Sequence, residues 1–392
     1  MYETLSETGE QDSLTPEYMK EFINKLLFKM IQHGGSDLHF KTGSNIRARI
    51  NGEIIPLINE KVTRKEGILL AKALLRSRFE ELVRDKNVDF TYKLNENLRF
   101  RVNIFFQMDG VSAVFRIIPR NLPSIESLNL PPVVKKFCSL KRGLVVVTGP
   151  TGSGKSTTLA SIINEINLTQ RKHIITIEDP IEFVYKDEKS IINQRSIGQD
   201  ATTFSSSLRA ALREDPDVIL IGEARDLETI ETALHAAETG HLVFFTLHTI
   251  SAKDTINRII GMFPSDMQNK IRLSLAAILQ GVLSQRLIPT VDGKRVAAVE
   301  VLVKSARIES LIMQGRDDEI NDALFEGKEV YGTQTFDQSL LDLYAKGIIS
   351  KEEALNNATN PSDLNIRIQQ IHGLKTKESL NSPQKDIIAL KR

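Results

Sequence analysis

Along residues 18–30 the apolar side chains Phe22, Ile23, Leu26, Leu27 and Met30 recur at helical spacing, which predicts an amphipathic helix ended at Gly34-Gly35. Apolar and polar residues then alternate through 36–40, 46–50 and 53–57, with Asn51-Gly52 as a hairpin turn. The alternation returns through 88–92, 98–106 and 111–117, with Asp109-Gly110 turning the last pair, and a helical stretch at 65–84 separates the two groups. The pattern predicts a small α+β domain at 17–118, behind a polar leader at 1–16. Prolines 119, 123, 131 and 132 interrupt both periodicities and mark a linker at 119–142.

Beyond Gly143 the pattern changes. Runs 144–148, 174–177, 218–221 and 242–247 are apolar without alternation, as strands of a parallel sheet covered on both faces are, and helix-length segments lie between them. The expected fold class is therefore α/β, with a core at 143–290. From Lys253 onward the chain reads as helical, including 266–287, which predicts a helical C-terminal region at 291–365 and a polar, fraying tail at 366–392.

Composition narrows the class. With 392 residues, 51 Lys+Arg, 50 Asp+Glu and a net charge of +1, the chain is an ordinary globular sequence of two or three domains. That balance argues against a protein that coats nucleic acid. The single cysteine, Cys138, excludes an intramolecular disulfide and a thiolate zinc cage, and points to a reducing compartment. Neither a secretion signal nor an apolar run of about 18 residues is present, so a cytoplasmic protein with at most a peripheral membrane role is expected.

The sharpest chemical signal is Gly149-Pro150-Thr151-Gly152-Ser153-Gly154-Lys155-Ser156, a G-x-x-x-x-G-K-[ST] loop between the run 144–148 and a helix opening at Thr157. Glycines let such a loop wrap phosphates with its N–H groups, Lys155 meets the β and γ phosphates, and the Ser156 hydroxyl can ligate Mg²⁺. ATP and Mg²⁺ are the expected cofactors. An acidic partner belongs at the end of a neighbouring strand, and Asp217-Val-Ile-Leu-Ile-Gly222-Glu223 supplies Glu223 as metal ligand or water-activating carboxylate. A second acidic cluster, Ile177-Glu-Asp-Pro-Ile-Glu182, offers Glu182 as general base, and spacing leaves Glu182 and Glu223 in competition for that role.

Four ordered motifs now stand together: the phosphate loop, the box Ile177-Glu-Asp-Pro-Ile-Glu-Phe183, the strand end Gly222-Glu-Ala-Arg-Asp226 and the box Ala236-Ala-Glu-Thr-Gly-His241-Leu-Val-Phe-Phe-Thr-Leu-His248. On these the chain resembles the secretion and type IV pilus ATPases, most closely the PilT and PilU retraction family, from Met19 to Asn365. The resemblance implies a PAS-like N-terminal domain, a RecA-like ATPase domain and a homo-hexameric ring driving pilus retraction and twitching motility. It also implies an inner-membrane platform protein as partner at the pilus base, with a paralogous retraction ATPase as a further candidate. By the same resemblance His241 and His248 sense nucleotide and support catalysis, while Arg101 and Arg116 reach nucleotide at a subunit interface. Read without it, the histidines flank a buried strand as structural residues do, and the arginines sit on strands where solvated arginines are ordinary.

Assembly and type II secretion ATPases of the same superfamily typically carry a four-cysteine zinc insertion, which one cysteine cannot supply. One departure from the retraction branch stands out. Where retraction motors carry Ala-Ile-Arg-Asn-Leu-Ile-Arg-Glu, this chain has Arg307-Ile-Glu-Ser-Leu-Ile-Met313-Gln314, keeping Leu-Ile and losing Arg-Glu, and Leu287-Ile-Pro-Thr-Val-Asp-Gly-Lys294 is closer to PilU. The alternatives are an accessory PilU-like ATPase, a RecA-like nucleic-acid translocase and a non-hydrolysing subunit. The second lacks an aromatic-studded basic channel in a chain with no Trp and six Tyr. The third sits poorly with intact Glu182 and Glu223.

Overall fold

The structure, a computed structural model, describes residues 14–95, 97–119 and 122–380, from 372 onward as backbone only. The leader up to Ser13, Arg120 and Asn121 of the linker, and the tail from 381 lie outside the described residues. The described residues divide into two compact units: those up to 122 with 176–186 and 193–207, and 123–175 with 187–192 and those from 208 onward. Segments 176–186 and 193–207, which the sequence reading kept inside a core at 143–290, thus group with the N-terminal residues.

In the first unit a helix, Pro16–Gln32, starts at Thr15, whose side chain accepts from Tyr18 N–H, and buries Met19, Ile23, Leu26, Leu27 and Met30. It belongs to the core of a six-stranded sheet made of β1 (Gly35–Lys41), β2 (Asn45–Ile50), β3 (Glu53–Lys61), β4 (Asn87–Lys93), β5 (Arg99–Gln107) and β6 (Gly110–Ile117), ordered β3-β2-β1-β6-β5-β4. Alternation sets the two faces: Phe100, Val102 and Ile104 of β5 point into the core, which turns Arg101 outward. The expected helix between the strand groups forms as Arg64–Leu75, opened by a reciprocal Thr63 and Glu66 capping box, and Phe79–Asp85.

The second sheet has seven strands: β7 (Gly143–Thr148), β8 (His173–Glu178), β9 (Ile191–Ser196), β10 (Val218–Ile221), β11 (Leu242–Leu247), β12 (Leu279–Pro289) and β13 (Arg295–Val303), ordered β13-β12-β7-β11-β10-β8-β9. The pairs β12–β7, β7–β11 and β11–β10 are parallel, and β13 returns antiparallel along β12. Every residue of β7, β10 and β11 is buried, as the unbroken apolar runs required.

The structure corrects or extends three expectations. The helical reading of 266–287 holds only for Gln268–Ile278; the chain then turns extended as β12, and β13 opens the region expected to be helical. An apolar run has the same signature in a buried helix and a buried strand, and pairing with β7 decides for the strand. The linker is packed, with a short helix at Val134–Cys138 and Ile125, Leu130, Val133 and Phe137 buried. The helix Pro361–Leu380 crosses the expected tail boundary because Leu364 and Ile368, one turn apart, pack with Leu340, Leu343 and Ile349.

Candidate functional site: a phosphate loop at the sheet edge

Strand β7 delivers the chain to Gly149, and the helix Lys155–Thr169 leaves from Gly154, so the motif occupies a strand-loop-helix turn. Gly149 (φ 144°) and Gly154 (φ 90°) have left-handed backbone, and a Cβ on Gly149 would run into the Gln285 carbonyl and the Ser153 hydroxyl. Thr151 and Gly152 form the exposed tip, whereas Lys155, Ser156 and Thr157 are half-buried in the first helical turn. The Lys155 ammonium donates to the carbonyls of Gly149 (2.7 Å) and Pro150 (3.1 Å), bracing the loop around its own charge. The first N–H groups of a helix have no partner within it, so Lys155–Thr157 present donors suited to an anion.

Parallel register brings the acid to this loop. Leu247 pairs with Thr148 and Ile221 with Phe245, so β7, β11 and β10 end side by side. The Thr246 hydroxyl donates to Gly222 O (2.5 Å), tying the end of β10 to β11. Glu223 follows at once, accepting from the Arg225 guanidinium (2.7 Å) and lying 3.1 Å from His248 Nε2. The Arg225 hydrogen bond holds the Glu223 carboxyl below the usual carboxylate range, against partial burial. An ionised carboxylate with a histidine on one oxygen, beside a phosphate loop, can bind a cation or orient water.

Other expected residues stand elsewhere. His241 lies at the amino end of β11, its Nδ1 2.9 Å from Ala236 O and its carbonyl accepting from Gly143 N–H. The length of β11, roughly 20 Å, separates it from the loop end of the sheet. Glu182 is exposed in the segment 176–186 of the first unit, its N–H donating to Glu178 Oε2 (3.5 Å). Arg101 and Arg116 are direct cross-strand partners on β5 and β6. Arg116 Nε donates to Asp37 Oδ1 (2.6 Å); burial opposes ionisation of Asp37, but the Ser36 hydroxyl and Arg116 outweigh it and keep its pKa low.

Two residues escaped the sequence reading. Glu178 closes β8, accepts from the Thr176 hydroxyl (2.6 Å), and is pushed up to about 7 by burial; its place in the acidic box was the available signal. Gln285 of β12 donates from Nε2 to Ser153 O (2.6 Å), and nothing local in the sequence marked it. The lone Cys138 is buried, which pushes its thiol up to about 12 and makes it a packing residue.

Comparison with known proteins adds lineage. Residues 12–356 match the family described as type II/IV secretion system protein. The chain is 44% identical over 345 residues to the type IV pilus retraction ATPase PilT of Pseudomonas aeruginosa, covering 87% of this chain and 99% of that one. It is 39% identical over 352 residues to the type IV pilus ATPase PilU of the same organism, covering 88% and 91%. Among solved structures, that of the pilus retraction motor PilT with bound ADP aligns at TM-score 0.81 and 44% identity, covering 88% of this chain and 98% of that one. The ATPase DotB of Legionella pneumophila aligns at TM-score 0.78 and 30% identity, covering 88% and 96%.

Proposed function

Because the chain belongs to the PilT and PilU family of type II/IV secretion ATPases, we propose that it is a Mg²⁺-dependent hexameric motor that hydrolyses ATP to drive type IV pilus retraction. The observation that carries the reading is that the strands leading to the Lys155 loop and to the Glu223–His248 pair end in register at one end of the sheet. In this reading the second unit is a RecA-like ATPase domain and the first a PAS-like domain. The ring works at the cytoplasmic face of the pilus base, against a platform protein of the inner membrane. No helix among the described residues is long and apolar enough to cross a membrane.

The loop N–H groups and Lys155 hold the β and γ phosphates. Ser156 and Glu223 would hold Mg²⁺, which when bound neutralises charge on the phosphoryl oxygens. The donor set fits that ion: a hydroxyl and a carboxylate are hard oxygen donors, and Mg²⁺ in nucleotide sites leans on phosphate and water beside one or two protein ligands. Water attacks the γ-phosphorus, the bond to the β–γ bridging oxygen breaks, and the water proton passes to a carboxylate. We assign that base to Glu182, which leaves Glu223, oriented by Arg225 and His248, to the metal ion. His248 keeps Glu223 oriented, and Arg101 and Arg116 neutralise phosphate charge from a neighbouring subunit. His241, at the far end of β11, would relay nucleotide state without touching nucleotide bound by its own loop.

One observation favours an accessory, PilU-like variant of this function. The helix Ala306–Gln314 buries Ile308, Leu311 and Ile312 but exposes Met313, where retraction motors carry a charged pair. Turnover of Mg²⁺-ATP by the purified chain, measured against protein concentration with light scattering, tests both. Activity should rise as hexamers form and fall by about 10²–10⁴ in Glu182→Gln, with ATP binding retained. Lys155→Ala should lose binding as well. Rings that bind ATP but turn it over only beside a paralogous motor would establish the accessory form, and strong stimulation by DNA or RNA would sink the pilus reading.

A further inference from the structure

Strand β12 lies directly beside the phosphate loop and touches it through consecutive residues. The Ser284 hydroxyl accepts from Thr148 Oγ1 (3.0 Å), one residue before the loop. The Gln285 carbonyl sits where a Gly149 side chain would go, and its amide Nε2 donates to Ser153 O while standing 3.0 Å from where a Gly154 Cβ would be. Gln285 is 1% exposed and Ser153 3% exposed. Two polar atoms of this contact, Gln285 Oε1 and Ser153 Oγ, are buried without a hydrogen-bond partner. Orphaned buried groups are costly, and where they persist they point to a function beyond packing.

Peptide geometry says what the contact does. In a trans peptide the carbonyl of one residue and the N–H of the next point in opposite directions. Drawing Ser153 C=O toward Gln285 therefore turns the Gly154 N–H the other way, toward the concave side of the loop where phosphate oxygens bind. We propose that Gln285 is a positioning residue for nucleotide binding: it sets the Ser153–Gly154 peptide in the phosphate-binding orientation, and its orphaned oxygen with the Ser153 hydroxyl forms a polar reserve that lets the loop adjust as phosphate binds and leaves. The next residue, Arg286, donates to Asn357 O (3.1 Å) and lies over the Phe336 ring (4.1 Å), so β12 is held from the C-terminal helices at the point where it holds the loop. The inference rests on the nucleotide-binding reading and deepens it.

The test compares the full-length wild type with Gln285→Met and Gln285→Glu. Binding of a fluorescent N-methylanthraniloyl ATP, the KM and kcat for ATP, and the melting temperature are measured from pH 6 to 8. In Gln285→Met the dissociation constant and KM should rise about tenfold, the worth of one hydrogen bond, while kcat changes less and the melting temperature stays near wild type. In Gln285→Glu the ionised carboxylate has no proton to donate, so binding should be weakest at pH 8 and recover toward pH 6 as the protonated acid donates to Ser153 O. Wild-type affinity in both variants would overturn the proposal, as would losses that track melting temperature and show no recovery at low pH. Absence of ATP binding by the wild type would instead defeat the underlying nucleotide reading.

Discussion

Glu223 and Glu178 close two strands of one sheet, β10 and β8, and their surroundings push them in opposite directions. The Arg225 guanidinium keeps Glu223 ionised, whereas burial raises Glu178 to about 7, so it gains and loses its proton near neutrality. Glu300 of β13 behaves like Glu178: burial raises it to about 7 while Oε1 accepts from Ala252 N–H (2.6 Å). The folded chain then holds a proton that the unfolded chain, with an ordinary value of 4.5, has already released. Stability contributed by Glu300 is therefore full below about 4.5, falls as pH rises through the window from 4.5 to 7, and levels off above it. Glu300→Gln keeps an acceptor for Ala252 and removes the titration. It should stabilise the chain by about 1–3 kcal/mol at pH 8 and by much less near pH 5, read from chemical denaturation at the two pH values.

At the scale of elements, β4 and β5 of the first sheet are legible because each has one wet face, and alternation reports that directly. The strand β12 is not legible, since burial on both faces removes alternation and its preceding helix continues the apolar run. Its conformation carries a steric signature. Gly281 lies against the Phe137 ring, where a Cβ would overlap ring carbons and crowd the Leu302 carbonyl. Gly281→Ala should cost about 1–3 kcal/mol through overpacking, seen as a lower thermal midpoint, and an unchanged midpoint would place β12 differently.

At the scale of the whole molecule, the residues to which the proposal gives roles fall in both units: Arg101, Arg116 and Glu182 in the first, Lys155, Glu223 and His248 in the second. In the proposed ring, one copy's arginines serve a neighbour's phosphate loop. Lys155→Ala and Arg101→Ala chains should each be nearly inactive alone. Mixed, they should regain part of the wild-type turnover, because some interfaces then pair an intact loop with an intact arginine. Turnover followed against mixing ratio checks this, and a flat response would remove Arg101 from any interface role.

The amino-acid sequence by itself determined the phosphate loop, the acidic box, the alternating strands and the family, because each is written in the chemistry of near neighbours: glycines where backbone must bend, a lysine and a serine at a helix start, apolar residues every second position. Tertiary structure decided what depends on the register between segments distant in the chain. Parallel pairing of β7, β11 and β10 joins Glu223 to His248 and leaves His241 at the opposite end of the same strand. Pairing of β12 with β7, more than a hundred residues apart, makes an apolar run extended and sets Gln285 against Ser153. Local patterns state which face a residue prefers, but hydrogen bonds between non-adjacent strands choose which residues meet, and no single segment contains that information.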